Sequence, residues 1–175
     1  MTLIILIKNP TGLVLAAESA ETAVLIDRYG KEHCAVSTRT TKILSFDKPH
    51  NFAAAVTCGR AGIDGKPVNG YLKEFEMKLP CERLSVKEFA DELSRFFMEK
   101  WDQSADKSTY NPELAAEHMH FFVAGFDKNE PYGRIYHINI PDARNPQEKS
   151  PGEVLQFASR ARECVMLRGD STRKN

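Results

Sequence analysis

Three side chains stand in an order that could do chemistry together: Thr2, Glu18 and Lys42. A threonine hydroxyl is a poor nucleophile at neutral pH and needs a base. If Met1 is removed, the residue carries its own base, because a free α-amine titrates near 7.7–8.0 in model peptides, roughly where proton transfer is efficient. A nearby ammonium such as Lys42 would lower that value and keep more of the amine neutral. The lysine would need a carboxylate to hold it, and Glu18 suits that role. A small second residue such as Thr2 normally permits loss of the initiator methionine.

The local sequence explains how these residues could meet. Thr2 to Lys8 is β-branched and apolar on both faces, which predicts a buried strand. Asn9-Pro10-Thr11-Gly12 is a turn signal, and Leu13 to Glu18 returns as a second apolar strand. This hairpin brings Glu18 back to the level of Thr2, with a register good to about one residue. A carboxylate at the end of an otherwise apolar hairpin is unusual, since burying a lone charge is costly.

Further along, residues 19–30 read as a loop, Glu32 to Thr40 as a loosely alternating strand and Lys42 to Phe46 as a short one. Asn51 to Cys58 is apolar with small side chains, which suits close packing between layers, and it ends at Gly59. Val68, Tyr71, Leu72, Phe75 and Leu79 repeat with a helical period that Pro80 stops. Ser85-Val-Lys-Glu88 is a capping box, and the apolar positions from Val86 to Trp101 form one helix face behind it. Residues 102–117 read as a loop with some helix. His118 to Phe126 and Tyr132 to Ile140 read as strands, followed by a short strand over Glu153 to Phe157 and a third helix from Ala158 to Leu167. Two long amphipathic helices must cover one sheet face, and strands this apolar need a second layer beneath them. The expectation is one α+β domain over residues 1–175, built as a four-layer α/β/β/α sandwich.

Composition narrows the function classes. The 175 residues hold 24 Lys plus Arg against 24 Asp plus Glu, without the basic surplus that nucleic-acid binding normally shows. No apolar run approaches the roughly 20 residues of a membrane span, and no secretory signal precedes the first strand. Cys34, Cys58, Cys81 and Cys164 are widely spaced with no C-x-x-C pair, so a reduced, cytoplasmic protein is expected.

The opening Thr-x-x-x-x-x-Lys-x-x-x-Gly-x-Val-Leu-Ala-Ala-Glu resembles the start of a proteasome β-type subunit of the N-terminal-nucleophile threonine hydrolases, in particular a bacterial or archaeal proteasome-like protein. Thr41-Lys42-Ile43-Leu44 is similar to the lysine-bearing segment of that family. Asn51 to Gly59 is similar to its next strand, and Phe121-Phe-Val-Ala-Gly125 to its internal strand with an Ala-Gly pair. The resemblance covers roughly residues 2–157. It implies a threonine-type endopeptidase that needs no cofactor or metal and assembles as a homo-oligomeric ring, with a peptide or protein as substrate and an unfoldase as a possible partner. It also implies roles: Thr2 as nucleophile, Glu18 and Lys42 as the supporting pair, the Gly59 N–H in the oxyanion hole, and Thr22 in the substrate cleft. The chain departs from the family in three ways. Lys42 lies several residues late, Ala158-Ser159-Arg160 stands where a Gly-Ser-Gly-like turn is usual, and the C-terminal part bearing an assisting Asp and Ser is short. Two alternatives follow from these departures: a catalytically inactive structural subunit, or an amidohydrolase or transpeptidase acting on another substrate.

Other features read as structural. Gly59 to Lys66 lacks the spacing and the Ser or Thr of a phosphate loop. His118-Met-His120 puts two imidazoles on one strand face without a third ligand, so a structural role is expected rather than a metal site. Phe96, Met98 and Trp101 read as core or interface residues, and the arginines from Arg160 onward as a solvated basic end.

Overall fold

The computed structural model describes residues 3–9, 11–26, 28–113 and 117–149. Within them the protein is a mixed α+β structure. β1 (Ile4–Asn9) and β2 (Gly12–Ala17) form an antiparallel hairpin with Ile4 opposite Ala17 and Asn9 opposite Gly12. Its turn is closed by the Asn9 carboxamide, which accepts the Thr11 N–H at 2.9 Å. The expected register holds: the Glu18 N–H donates to Leu3 O at 3.1 Å, one step beyond the last ladder pair.

A second hairpin follows, from β3 (Glu21–Ile26) and β4 (Glu32–Ser37). This corrects the reading of residues 19–30 as loop. Glu21-Thr-Ala-Val-Leu-Ile26 is largely apolar and β-branched toward its end, and the polar residues before it masked that strand signal. β5 (Ile43–Ser45) and β6 (Ala53–Gly59) come next, then a small hairpin of β7 (Gly62–Ile63) and β8 (Lys66–Pro67). A 3-10 turn at Val68–Tyr71 leads into α1 (Leu72–Lys78), which ends where Leu79 turns extended before Pro80. α2 (Val86–Gln103) starts at the expected capping box: Ser85 accepts the Glu88 N–H, and the Glu88 carboxylate accepts the Ser85 N–H at 2.8 Å. Removing that cap with Ser85→Ala is expected to cost about 1 kcal/mol, read from a urea melt, and Ser85→Asp should recover most of it.

A 3-10 turn at Ala105–Ser108 precedes β9 (Met119–Gly125) and β10 (Arg134–Ile140), and β11 (Ala143–Glu148) closes the described chain. β11 carries no strand signal in the sequence, since Pro146 stands among polar residues. Proline is compatible with its position at the sheet edge, where one side of the strand carries no ladder. The strand and helix expected over residues 153–167 lie outside the described residues.

The large sheet runs β11-β10-β9-β6-β5, antiparallel throughout. One face carries Leu44, Ala55, Phe121, Val123, Tyr136 and Ile138 against α1 and α2, around a core of Phe75, Phe89, Phe97 and Trp101. The other face carries Val56, Cys58 and Phe122 against Ile4, Leu6, Leu15 and Ala17 of the first hairpin. Helices, large sheet and hairpin therefore stack in that order. The close approach of hairpin and sheet is set at Gly133, where a Cβ would lie 2.3 Å from the Leu13 side chain. The expectation that β1 is buried on both faces needs correcting. Ile4 is buried, but Leu3 is 58%, Ile5 47% and Ile7 48% exposed, because the alternation of the strand turns these residues away from the sheet. No helix among the described residues is long and apolar enough to cross a membrane.

Candidate functional site

The site builds up from the end of the first hairpin. The Glu18 carboxylate accepts the Leu3 N–H at 2.9 Å. That N–H belongs to the peptide bond joining Leu3 to Thr2, so the carboxylate sits one peptide group from the candidate nucleophile. Thr2 itself lies outside the described residues. The Lys42 ammonium stands 3.5 Å from the same Glu18 oxygen and donates to the Ala20 carbonyl. Lys42 is 7% exposed, whereas Glu18 is 32% exposed. A buried ammonium needs both a counter-charge and hydrogen-bond acceptors, and the 18–20 segment supplies them together. The structure thus brings Glu18 and Lys42 together. The Ala20 carbonyl was not anticipated, since no sequence signal marks a backbone acceptor.

Lys42 is aligned by the sheet: its carbonyl accepts the Thr57 N–H at 2.9 Å, just before β5 begins. This bond also sets the direction of the Gly59 N–H. At the two ends of the β6–β9 ladder, Phe126 N–H donates to Phe52 O at 3.3 Å and Arg60 N–H to His118 O at 2.8 Å. Backbone N–H groups alternate sides along a strand, so the N–H groups of Ala54, Val56 and Cys58 serve the β9 side and those of Ala55 and Thr57 serve β5. The Gly59 N–H then points to the β5 side, beyond the end of that short strand and two residues past the Lys42–Thr57 step. Gly59 has φ +83°, and a Cβ there would lie 2.0 Å from the His118 carbonyl oxygen. Only glycine fits this backbone. Thr22 falls in β3 opposite Val36. Near it, the Thr40 hydroxyl donates to Glu21 at 2.7 Å and ties the second hairpin to the segment entering Lys42.

Cys58 and a histidine column complete the surroundings. Cys58 is a buried free thiol, pushed up to about 12 by burial, with the positive charge of Lys42 opposing. It pairs in register with His120. His118 and His120 stack with ring centroids 6.0 Å apart, as their shared strand face requires. His137 of β10 stacks on His120 at 5.3 Å and on Phe122 at 4.6 Å, and His120 Nδ1 lies 3.1 Å from His137 Nε2. His118 is anchored at its outer end by Asp142 at 3.1 Å and the Pro112 carbonyl at 2.9 Å. The sequence points to the first two rings but not to His137, whose place depends on the β9–β10 register.

Burial holds His120 and His137 at about 4, below the usual 6.5, with positive charge on His118 adding to the effect at His120 and on His120 at His137. Folding therefore binds fewer protons than the unfolded chain between these values. Stability contributed by the neutral pair is fully present above about pH 6.5 and is lost as pH falls toward about 4. Urea unfolding should show lower stability at pH 4.5 than at pH 7.5 from this source, and the His137→Phe variant should show a smaller difference. An unchanged gap in that variant would place the acid sensitivity elsewhere.

Comparison of the chain with protein-family models, curated proteins and solved structures gives no match.

Proposed function

We propose that the protein is a threonine-type peptidase of the N-terminal-nucleophile kind, with Thr2 as nucleophile once Met1 is removed. The observation that carries this reading is that the Glu18 carboxylate holds the peptide group that follows Thr2 and has the Lys42 ammonium 3.5 Å from the same oxygen. A hairpin end is a poor place for a part-buried carboxylate and a buried ammonium unless something there uses them. In the reaction, the Thr2 hydroxyl gives its proton to its own α-amine while Oγ attacks the scissile carbonyl carbon. The C–N bond breaks, the amine returns the proton to the leaving nitrogen, and water hydrolyses the resulting ester. Lys42 favours the neutral amine, Glu18 holds Lys42, and the Gly59 N–H receives the carbonyl oxygen as it becomes negative. Thr22 belongs to the cleft that aligns the peptide. The stacking of helices, sheet and hairpin supports a sandwich of this kind, with a fourth, helical layer over the apolar outer face of β1. Assembly into a homo-oligomeric ring served by an unfoldase belongs to the same reading.

Intact-mass measurement of the purified protein comes first, and Met1 is expected to be absent. Incubation with an electrophile that bonds to both the hydroxyl and the amine should add one adduct per chain, lost in Thr2→Ala. Retained Met1, or an adduct that survives Thr2→Ala, sinks the enzymatic reading and favours a structural subunit.

A further inference from the structure

Arg60 follows the glycine of the candidate oxyanion hole, and its side chain is more heavily engaged than that of any neighbouring loop residue. Its guanidinium bonds Glu117 at 2.6 Å and Asp106 at 2.9 Å, donates from Nε to Gly62 O at 3.2 Å, and lies over the Trp101 ring at 5.4 Å. Glu117 immediately precedes His118, whose carbonyl accepts the Arg60 N–H at 2.8 Å. The side chain and the main chain of Arg60 thus grip the two successive residues that lead into β9. Asp106 in turn accepts the Asp64 N–H at 2.8 Å, so the same carboxylate braces the loop beyond Gly59. A planar fork with several donors can bridge acceptors on three segments at once, which a lysine cannot do.

Gly59 sits at the last step of the β6–β9 ladder, where strands fray. With φ +83° and no side chain, it has nothing of its own to hold its peptide plane. We propose that Arg60 is a positioning residue: by clamping the end of β6 to Glu117 and Asp106, it holds the Gly59 N–H in line for the developing oxyanion. This rests on the threonine-peptidase reading. The inference adds a device distinct from the Glu18–Lys42 pair. A donor displaced by an ångström loses much of its value to a transition state, at roughly 100-fold in rate.

The test uses Arg60→Lys and Arg60→Gln in the full chain with two peptidyl electrophiles. Opening of a β-lactone passes through a tetrahedral oxyanion, whereas addition to a vinyl sulfone builds charge on carbon instead. Acylation by the lactone is expected to slow by roughly 10-fold to 100-fold in both variants, while vinyl sulfone alkylation changes by less than about 3-fold. Parallel loss of both rates would mean general damage to the site and would overturn the inference, as would no change in either. A wild-type chain that reacts with neither probe defeats the peptidase reading and this inference with it. Amide hydrogen exchange separates the two failures, because it needs no activity. Exchange of the Arg60 N–H should accelerate at least about 10-fold in Arg60→Gln. Unchanged exchange would refute the clamp and leave the chemistry of Thr2 standing.

Discussion

Lys42→Met is expected to reduce peptide hydrolysis by roughly 100-fold to 10,000-fold while leaving the protein folded. Methionine preserves most of the stem volume and removes the charge together with the hydrogen bond to the Ala20 carbonyl. Without the ammonium, the α-amine of Thr2 would rise toward its ordinary range and lose its bias toward the neutral form at pH 7. The Glu18 carboxylate would still accept the Leu3 N–H, so the hairpin end would keep one of its two ties. Glu18 is partly exposed and water can solvate it, which limits the cost in stability to a few degrees of Tm. The useful signature is a separation of the two effects. The pH–rate profile of the residual activity should move to higher pH, because the amine needs a higher pH to be neutral. An unshifted profile, or collapse of the fold together with the activity, would show that Lys42 serves structure rather than the reaction.

The largest expected loss of stability comes from the other side of the sheet. Phe89 of α2 is fully buried and is the hub of an aromatic cluster. Its ring lies 4.7 Å from Phe46, 5.6 Å from Phe75, 5.7 Å from His50 and 6.2 Å from Phe52. These partners come from the segment joining β5 to β6 and from α1, so the ring links both helices to the sheet. Phe89→Ala should cost roughly 3–5 kcal/mol, the sum of lost transfer energy and an unfilled cavity among rings too rigid to collapse. Phe89→Leu should cost less than half as much. Denaturant midpoints with unchanged m-values would check both, and a loss under about 1 kcal/mol for the alanine variant would mean that the cluster repacks. The two predictions are independent, because Lys42 and Phe89 share no partner among the contacts described.

The sequence was legible where a local rule was sufficient. The Asn9–Gly12 turn and the flanking apolar runs gave the hairpin and the alignment of Glu18 with the first residues of the chain. The Ser85–Glu88 box gave the start of α2. It was less legible where neighbours decide. β1 looked buried on both faces because Leu3, Ile5 and Ile7 are as apolar as Ile4 and Leu6, yet only the latter pair meets the sheet. β11 carries a proline that only an edge position tolerates, and edges are a property of the assembled sheet. For the site, residue type and order brought Glu18 and Lys42 forward. The Ala20 carbonyl, the direction of the Gly59 N–H and the placement of His137 follow from backbone register, which composition does not encode. Arg60 lies in a Gly59–Lys66 stretch with no phosphate-loop spacing to mark it, and its partners lie more than forty residues away in Asp106 and Glu117.

The contact of Gly133 with Leu13 gives the first hairpin a fulcrum. A strand of six residues spans about 20 Å, so the hairpin is a stiff arm with its tip resting on the β9–β10 turn and its far end at Glu18. A side chain at position 133 would press on the Leu13 side chain, which must turn aside or carry the tip of the hairpin with it. Where Leu13 cannot turn aside, the displacement runs along the hairpin toward Glu18. Position 133 is therefore a natural place to tune, or to switch off, whatever that pair does, without touching either residue.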